Sequence, residues 1–148
     1  MSLMSPNPLL DFSGLPRFAD VRPEHIAPAI ESLLADADAA LARSVGPEVP
    51  ADYDALSAVL DVATEHLSRA WGMVGHLNAV ADTPELRAAY ADMLPKVTEF
   101  HTRLGADERL YAKYKAVLAD PRSAALSPAR RKALGNAVRD FRLSGAEL

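Results

Sequence analysis

The stretch from Asp52 to Val80, DYDALSAVLDVATEHLSRAWGMVGHLNAV, decides the fold. Tyr53, Leu56, Leu60, Ala63, Leu67, Trp71, Val74 and Leu77 recur three or four residues apart, one apolar stripe at helical period. No proline interrupts it, and Gly72 and Gly75 weaken it by only about 1 kcal/mol each relative to alanine. A rod of this length runs roughly 40 Å at ~1.5 Å per residue. It outruns an ordinary globular helix and calls for a long antiparallel partner.

That partner comes at once. Thr83-Pro84-Glu85 reads as an N-cap, a first-turn proline and a first-turn acid. It opens a third helix with the stripe Leu86, Tyr90, Met93, Leu94, Val97, Phe100 and Leu104, in which Pro95 removes one backbone hydrogen bond and favours a kink. Ala81 and Asp82 alone link the two helices, which predicts an αα-hairpin. Upstream, Pro23 and Glu24 start a first helix carrying Ile26, Ile30, Leu33, Leu34, Ala37 and Leu41, stopped by Gly46 and Pro47. Downstream, Asp107 caps a shorter helix with Leu110, Tyr111, Tyr114, Val117 and Leu118, ended by Pro121. Ser127-Pro128 opens the fifth, and Gly145 supplies a left-handed cap.

No segment alternates with period two between turns. The expected fold class is therefore all-α: about five helices in antiparallel hairpins, one long central helix and no sheet. Met1-Ser2-Leu3 ahead of Met4 looks like a cloning scar. Residues 4–22, with Pro6, Pro8, Gly14 and Pro16, are expected to be extended. Leu9, Leu10, Phe12, Leu15 and Phe18 are expected to press that segment onto the helices. Residues 23–148 form the helical domain.

At 148 residues with 49% hydrophobic and 24% charged side chains, the chain has ordinary soluble-globular composition. It has no cysteine, so disulfides and thiolate metal sites are excluded. There is no secretory signal and no apolar run near ~18 residues, so the expectation is a cytoplasmic protein without a membrane partner. Residues 1–74 hold 4 Lys/Arg against 11 Asp/Glu, and residues 75–148 hold 12 against 9. The basic cluster Arg130, Arg131, Lys132, Arg139 and Arg142 raises nucleic-acid binding. It shares a helix with the apolar face Leu134, Ala137, Val138 and Phe141 and has no interleaved aromatics, which reads better as a solvated face without a nucleic-acid partner.

Catalytic chemistry is hard to find. The histidines are His25, His66, His76 and His101. A helical zinc-hydrolase motif needs two histidines at i, i+4 with a glutamate between them. The closest pair, His66 and His76, stands roughly 15 Å apart along a straight helix. Glu65 and His66 are adjacent and point about 100° apart. Asp36 and Asp38 also diverge, and Asp52 and Asp54 suit a helix start. Ser13 and Ser144 lack a base, and Gly72-Met73-Val74-Gly75 lacks the Lys-Ser/Thr of a phosphate loop. His76 and Asn78 either touch a peptide backbone or, the favoured reading, bond to neighbouring helix ends or to the rest of a longer parent chain. The tyrosines and Trp71 read as core anchors. No catalytic, cofactor-binding or metal-ligating residue is assigned.

One further signal comes from strings of residues. Asn7-Pro8-Leu9-Leu10, Arg22-Pro23-Glu24-His25-Ile26-Ala27-Pro28-Ala29-Ile30, Trp71 with His76-Leu77-Asn78, and Thr83-Pro84-Glu85-Leu86-Arg87-Ala88-Ala89-Tyr90 fall in order along the chain. Leu110-Tyr111-Ala112-Lys113-Tyr114 and Asn136-Ala137-Val138-Arg139-Asp140-Phe141-Arg142-Leu143-Ser144-Gly145 continue them. Together they resemble the amino-terminal part of the thimet-oligopeptidase family of zinc metallopeptidases. The resemblance implies a longer, almost wholly helical polypeptide with two lobes beside a deep channel that admits short unfolded peptides. It also implies a zinc site on an H-E-x-x-H helix plus a downstream glutamate, neither of which matches a position here.

The resulting expectation is an amino-terminal helical region that walls a substrate channel and is inactive alone, with zinc bound elsewhere in its parent. The chain's finish at Leu148, soon after Gly145, reads as a cut. Its expected partners are the rest of its own chain, short peptides in the whole enzyme and, through exposed apolar surface, further copies of itself. The competing expectation is a free-standing helical interaction module.

Overall fold

Prolines and short polar side chains place the helix ends. The computed structural model describes residues 6–147, so the expected scar at residues 1–3 and the start of the expected extended segment at Met4 and Ser5 lie outside the described residues, as does Leu148. The helices are α1 (Pro23–Val45), α2 (Tyr53–Leu56), a π-helical segment (Ser57–Asp61), α3 (Val62–Val80), α4 (Pro84–Gly105), α5 (Glu108–Ala119) and α6 (Pro128–Leu143). Three 3-10 turns occupy Pro8–Leu10, Phe18–Asp20 and Pro121–Ala125. Among the described residues there is no strand, and the all-α expectation holds.

The helix starts obey side-chain chemistry. Asp52 accepts the Ala55 N–H at 2.9 Å, Thr83 the Leu86 N–H at 3.1 Å, and Ser127 the Arg130 N–H at 3.3 Å. Asp107 accepts from both Arg109 and Leu110, at 2.9 and 3.1 Å. Each satisfies an otherwise orphaned donor and contributes about 1 kcal/mol. At the far end of α6, Gly145 has φ 91°. Its N–H reaches the Arg142 carbonyl and the Ala146 N–H reaches that of Phe141, both at 3.1 Å. This closes the helix with a left-handed glycine.

The long second helix needs correction. It runs continuously from Tyr53 to Val80, but Ser57–Asp61 is π-wound, and the Val62 N–H bonds five residues back to Ser57. The wider turn shifts the phase of the helix downstream of it. Leu56, Leu60, Leu67 and Val74 are buried as expected, and Ala70 and Met73 join them, while Trp71 and Leu77 are only half-buried. Helix α4 continues through Pro95 without a break.

The chain forms two compact units, Met1–Ala37 with Ala63–Thr98 and Asp38–Val62 with Glu99–Leu148. In the first, Leu9, Ile26, Ile30, Leu67, Val74 and Val97 are buried. Trp71 of α3 and Tyr90 of α4 stack with ring centres 4.8 Å apart and planes 7° from parallel, which joins the hairpin. In the second, Phe100, Tyr111, Tyr114, Leu134 and Phe141 are buried, and the Phe141 ring lies 5.6 and 5.9 Å from those of Tyr111 and Tyr114.

Five positions expected to pack are exposed instead, among them Leu10 at 40% and Phe18 at 38%. Leu94 and Leu118 are 40% and 46% exposed because Met93 and Val117, one residue earlier and about 100° round the helix, take the buried places. Leu15 is 91% exposed. Its segment is held by its backbone carbonyls rather than by that side chain.

Candidate functional site

The first unit carries an N-terminal strap fastened by side chains of α3. Asn7 caps the opening 3-10 turn by accepting the Leu9 N–H at 3.0 Å, and its amide donates to the His25 carbonyl at 2.8 Å. Leu9 then goes into the core. Phe12 lies flat on the His66 imidazole, ring centres 4.0 Å apart and 4° from parallel. Arg69 stands three residues further along α3, hence on the same face. Its guanidinium donates to the carbonyls of Phe12 and Gly14 and sits 5.8 Å from the Phe12 ring centre. Phe18 meets His76 edge-on at 5.2 Å. Two histidines and an arginine thus hold about ten residues of irregular chain.

The second unit is closed by different chemistry. The Lys113 ammonium donates to the carbonyls of Ser44 and Gly46, each at 2.7 Å, and to that of Val49. Three donors meet three acceptors where α1 ends, which neutralises the partial negative charge of that terminus. The Tyr111 hydroxyl donates to Glu147, Lys115 lies 4.1 Å from the Tyr111 ring centre, and Arg142 stands 3.6 Å from Glu147. Burial, reinforced by the charge of Asp61 and by Tyr53, pushes the Tyr114 phenol up to about 12. The Arg122 side chain and N–H hold the Asp120 carboxyl down at about 2.

The residues singled out in the sequence are scattered. His66 and His76 face the strap, His25 accepts the Arg22 N–H at Nδ1 at 2.9 Å, and His101 lies beside Phe100. Asp38 pairs with Arg103 at 3.0 Å and Asp54 with Arg130 at 2.9 Å. Ser13 donates to Asp11 at 2.5 Å, and the Ser144 N–H closes on Asp140 at 2.9 Å. Asn78 is half-buried, and its amide oxygen has no hydrogen-bond partner among the described residues. Arg130, Arg131, Lys132, Arg139 and Arg142 are all exposed, Lys132 and Arg139 on the face away from the buried Leu134, Val138 and Phe141 and the others along its flanks. Among the described residues no three His, Asp or Glu side chains stand close enough to share an ion, so these residues do not fit a zinc site. No described helix is long and apolar enough to cross a membrane.

Sequence reasoning missed Lys113 and Arg69. Neither has a local signature, since their acceptors lie 64 to 69 and 55 to 57 residues away. The Asn7-Pro8 cap was open to discovery, because asparagine before proline is a common helix-start pairing.

Residues 30–148 match the family model for the neurolysin/thimet oligopeptidase N-terminal domain. The chain belongs to the neurolysin/thimet oligopeptidase family. Oligopeptidase A of Salmonella typhimurium is 40% identical over 142 residues, covering 96% of this chain and 21% of that protein. Oligopeptidase A of Escherichia coli is 39% identical with the same coverage. Probable cytosolic oligopeptidase A of Arabidopsis thaliana is 36% identical over 148 residues, covering 98% of this chain and 20% of that protein. The chain spans about a fifth of the length of the curated relatives it matches. Coverage of 96% leaves only a few residues unmatched, so the strap belongs to the stretch shared between this member of the neurolysin/thimet oligopeptidase family and oligopeptidase A.

Proposed function

We propose that this chain is the amino-terminal helical region of a zinc metallo-oligopeptidase that hydrolyses short peptides. Residues 23–148 are its helical domain, with residues 4–22 packed against it and residues 1–3 a cloning scar. Its work is to wall the substrate channel and limit the size of what enters, without supplying a catalytic, cofactor-binding or metal-ligating group. Zinc is held by the remainder of the parent chain, which is its principal partner. The setting is cytoplasmic.

One observation carries the reading: nearly the whole chain aligns with about a fifth of proteins named oligopeptidase A. Two others support it. The histidines are dispersed and occupied in packing. Leu118, Leu143 and Val62 are exposed at 46%, 78% and 50%, apolar surface suited to the rest of the chain or to self-association.

The decisive assay monitors cleavage of a quenched fluorescent peptide by the purified chain and by the full-length parent, with added zinc and with a chelator. The parent is expected to cleave and to lose activity with chelator, and the isolated chain to stay silent throughout. Hydrolysis by the isolated chain, in zinc or in chelator, would falsify the assignment of chemistry to the remainder.

A further inference from the structure

The strap and the first turn of α1 border a half-open cavity of about 320 Å³ that the channel-wall reading does not use. Pro8 and Ala19 give it apolar wall, and Arg17, Asp20, Arg22 and His25 give it polar groups. The surrounding hydrogen bonds build it. The Asn7 amide donates to the His25 carbonyl at 2.8 Å and ties the strap over the start of α1. The Arg22 N–H donates to His25 Nδ1 at 2.9 Å. An imidazole that accepts at Nδ1 carries its proton on Nε2 when neutral, so this ring offers a donor to the space around it.

The two arginines differ. Arg17 is engaged by Asp11 at 3.4 Å and by Asp20 at 3.3 Å. Arg22 lines the same cavity, is exposed, and makes no ion pair with any described residue. Arg17 is matched by its own two carboxylates, which leaves Arg22 as the uncommitted positive charge in the lining. That balance suits one negative charge, and the Asp20 carboxylate opposes a second. The volume lies at the small end of ligand pockets.

We propose that this cavity binds a small monocarboxylate, with the Arg22 guanidinium forking onto its two oxygens and His25 Nε2–H donating to one of them. A planar fork of donors matches a carboxylate better than any single ammonium. Pro8 and Ala19 cover the apolar remainder of the ligand. The site is independent of peptidase chemistry, and its failure leaves the proposed function untouched.

Acetate titrated into the whole 148-residue chain, at ionic strength held constant with chloride, tests it by NMR. The expected result is a saturable shift of the His25 ring signals and the Arg22 amide. Arg22→Gln is expected to weaken binding about tenfold, the worth of one charge-assisted hydrogen-bonded pair, and Arg22→Lys less. Arg22 has no side-chain partner to lose among the described residues, and an unchanged dispersed spectrum of the free variant verifies that it folds. Asp20→Asn is expected to admit inorganic phosphate, which the native chain binds more weakly than acetate. Shifts that stay linear, that chloride reproduces, or that survive Arg22→Gln overturn the site. Tighter binding of phosphate than acetate by the native chain overturns the carboxylate assignment.

Discussion

The two units use the same helical material but are fastened in opposite ways. In Met1–Ala37 with Ala63–Thr98, exposed or half-buried groups (His66, Arg69 and His76) clasp an irregular strap through its rings and carbonyls. In Asp38–Val62 with Glu99–Leu148, four large aromatic side chains are buried together with Leu110 and Leu134, and a lysine closes the end of α1. The difference teaches where each unit is vulnerable. Water competes for the strap's contacts, whereas the aromatic cluster gives way only when its packing is broken.

The largest effect should come from the buried cluster. Phe100 is fully buried, and Phe100→Ala is expected to cost about 3–5 kcal/mol, through lost transfer energy and the cavity left behind. Urea denaturation measures it, and a loss under about 1 kcal/mol would remove the contrast between the units. Next is Lys113→Met, which keeps the aliphatic stem and strips three carbonyls of their donor. The expected cost is about 2–3 kcal/mol, with faster amide exchange confined to residues 44–50. Exchange that is unchanged there would show that water replaces the ammonium without penalty.

Arg69→Ala should be milder, about 1 kcal/mol, because its contacts are partly exposed. Its clearer signature is protease cleavage within residues 11–17, and a strap that stays resistant would shift the credit to Phe12 and Leu9. The smallest effect at neutral pH concerns Tyr114. Its folded pKa of about 12 lies above the ordinary value of 10.0, so its neutral phenol contributes fully below pH 10 and the contribution fades as pH rises through 12. A late component of the tyrosinate absorbance titration should vanish in Tyr114→Phe. If it persists, another tyrosine is the source.

Much of the fold was legible because it is written locally. Pro23, Thr83-Pro84, Asp107 and Ser127-Pro128 each sit at an observed helix start, and Gly145 takes the left-handed cap its position suggested. Stripes at helical period found Ile30, Leu67, Val97, Tyr111 and Phe141, all buried. The features that escaped depend on distance or phase. Nothing near Lys113 or Arg69 announces acceptors more than fifty residues away. Leu94 and Leu118 sit at the flank of their stripes, where one helical step separates core from solvent. The cavity beside Arg22 needs the strap folded back on α1, which no periodicity encodes.

The π-wound turn has a consequence for how this gene can change. Its Val62-to-Ser57 bond encloses one residue more than an α-turn would, so a surplus amino acid is stored inside a helix without unwinding either neighbour. Excising one codon, such as that of the exposed Ala58, should convert the turn to ordinary winding and leave the flanking frames intact. Length variation, normally confined to surface loops, has a permitted address here inside a rod, one turn from its start.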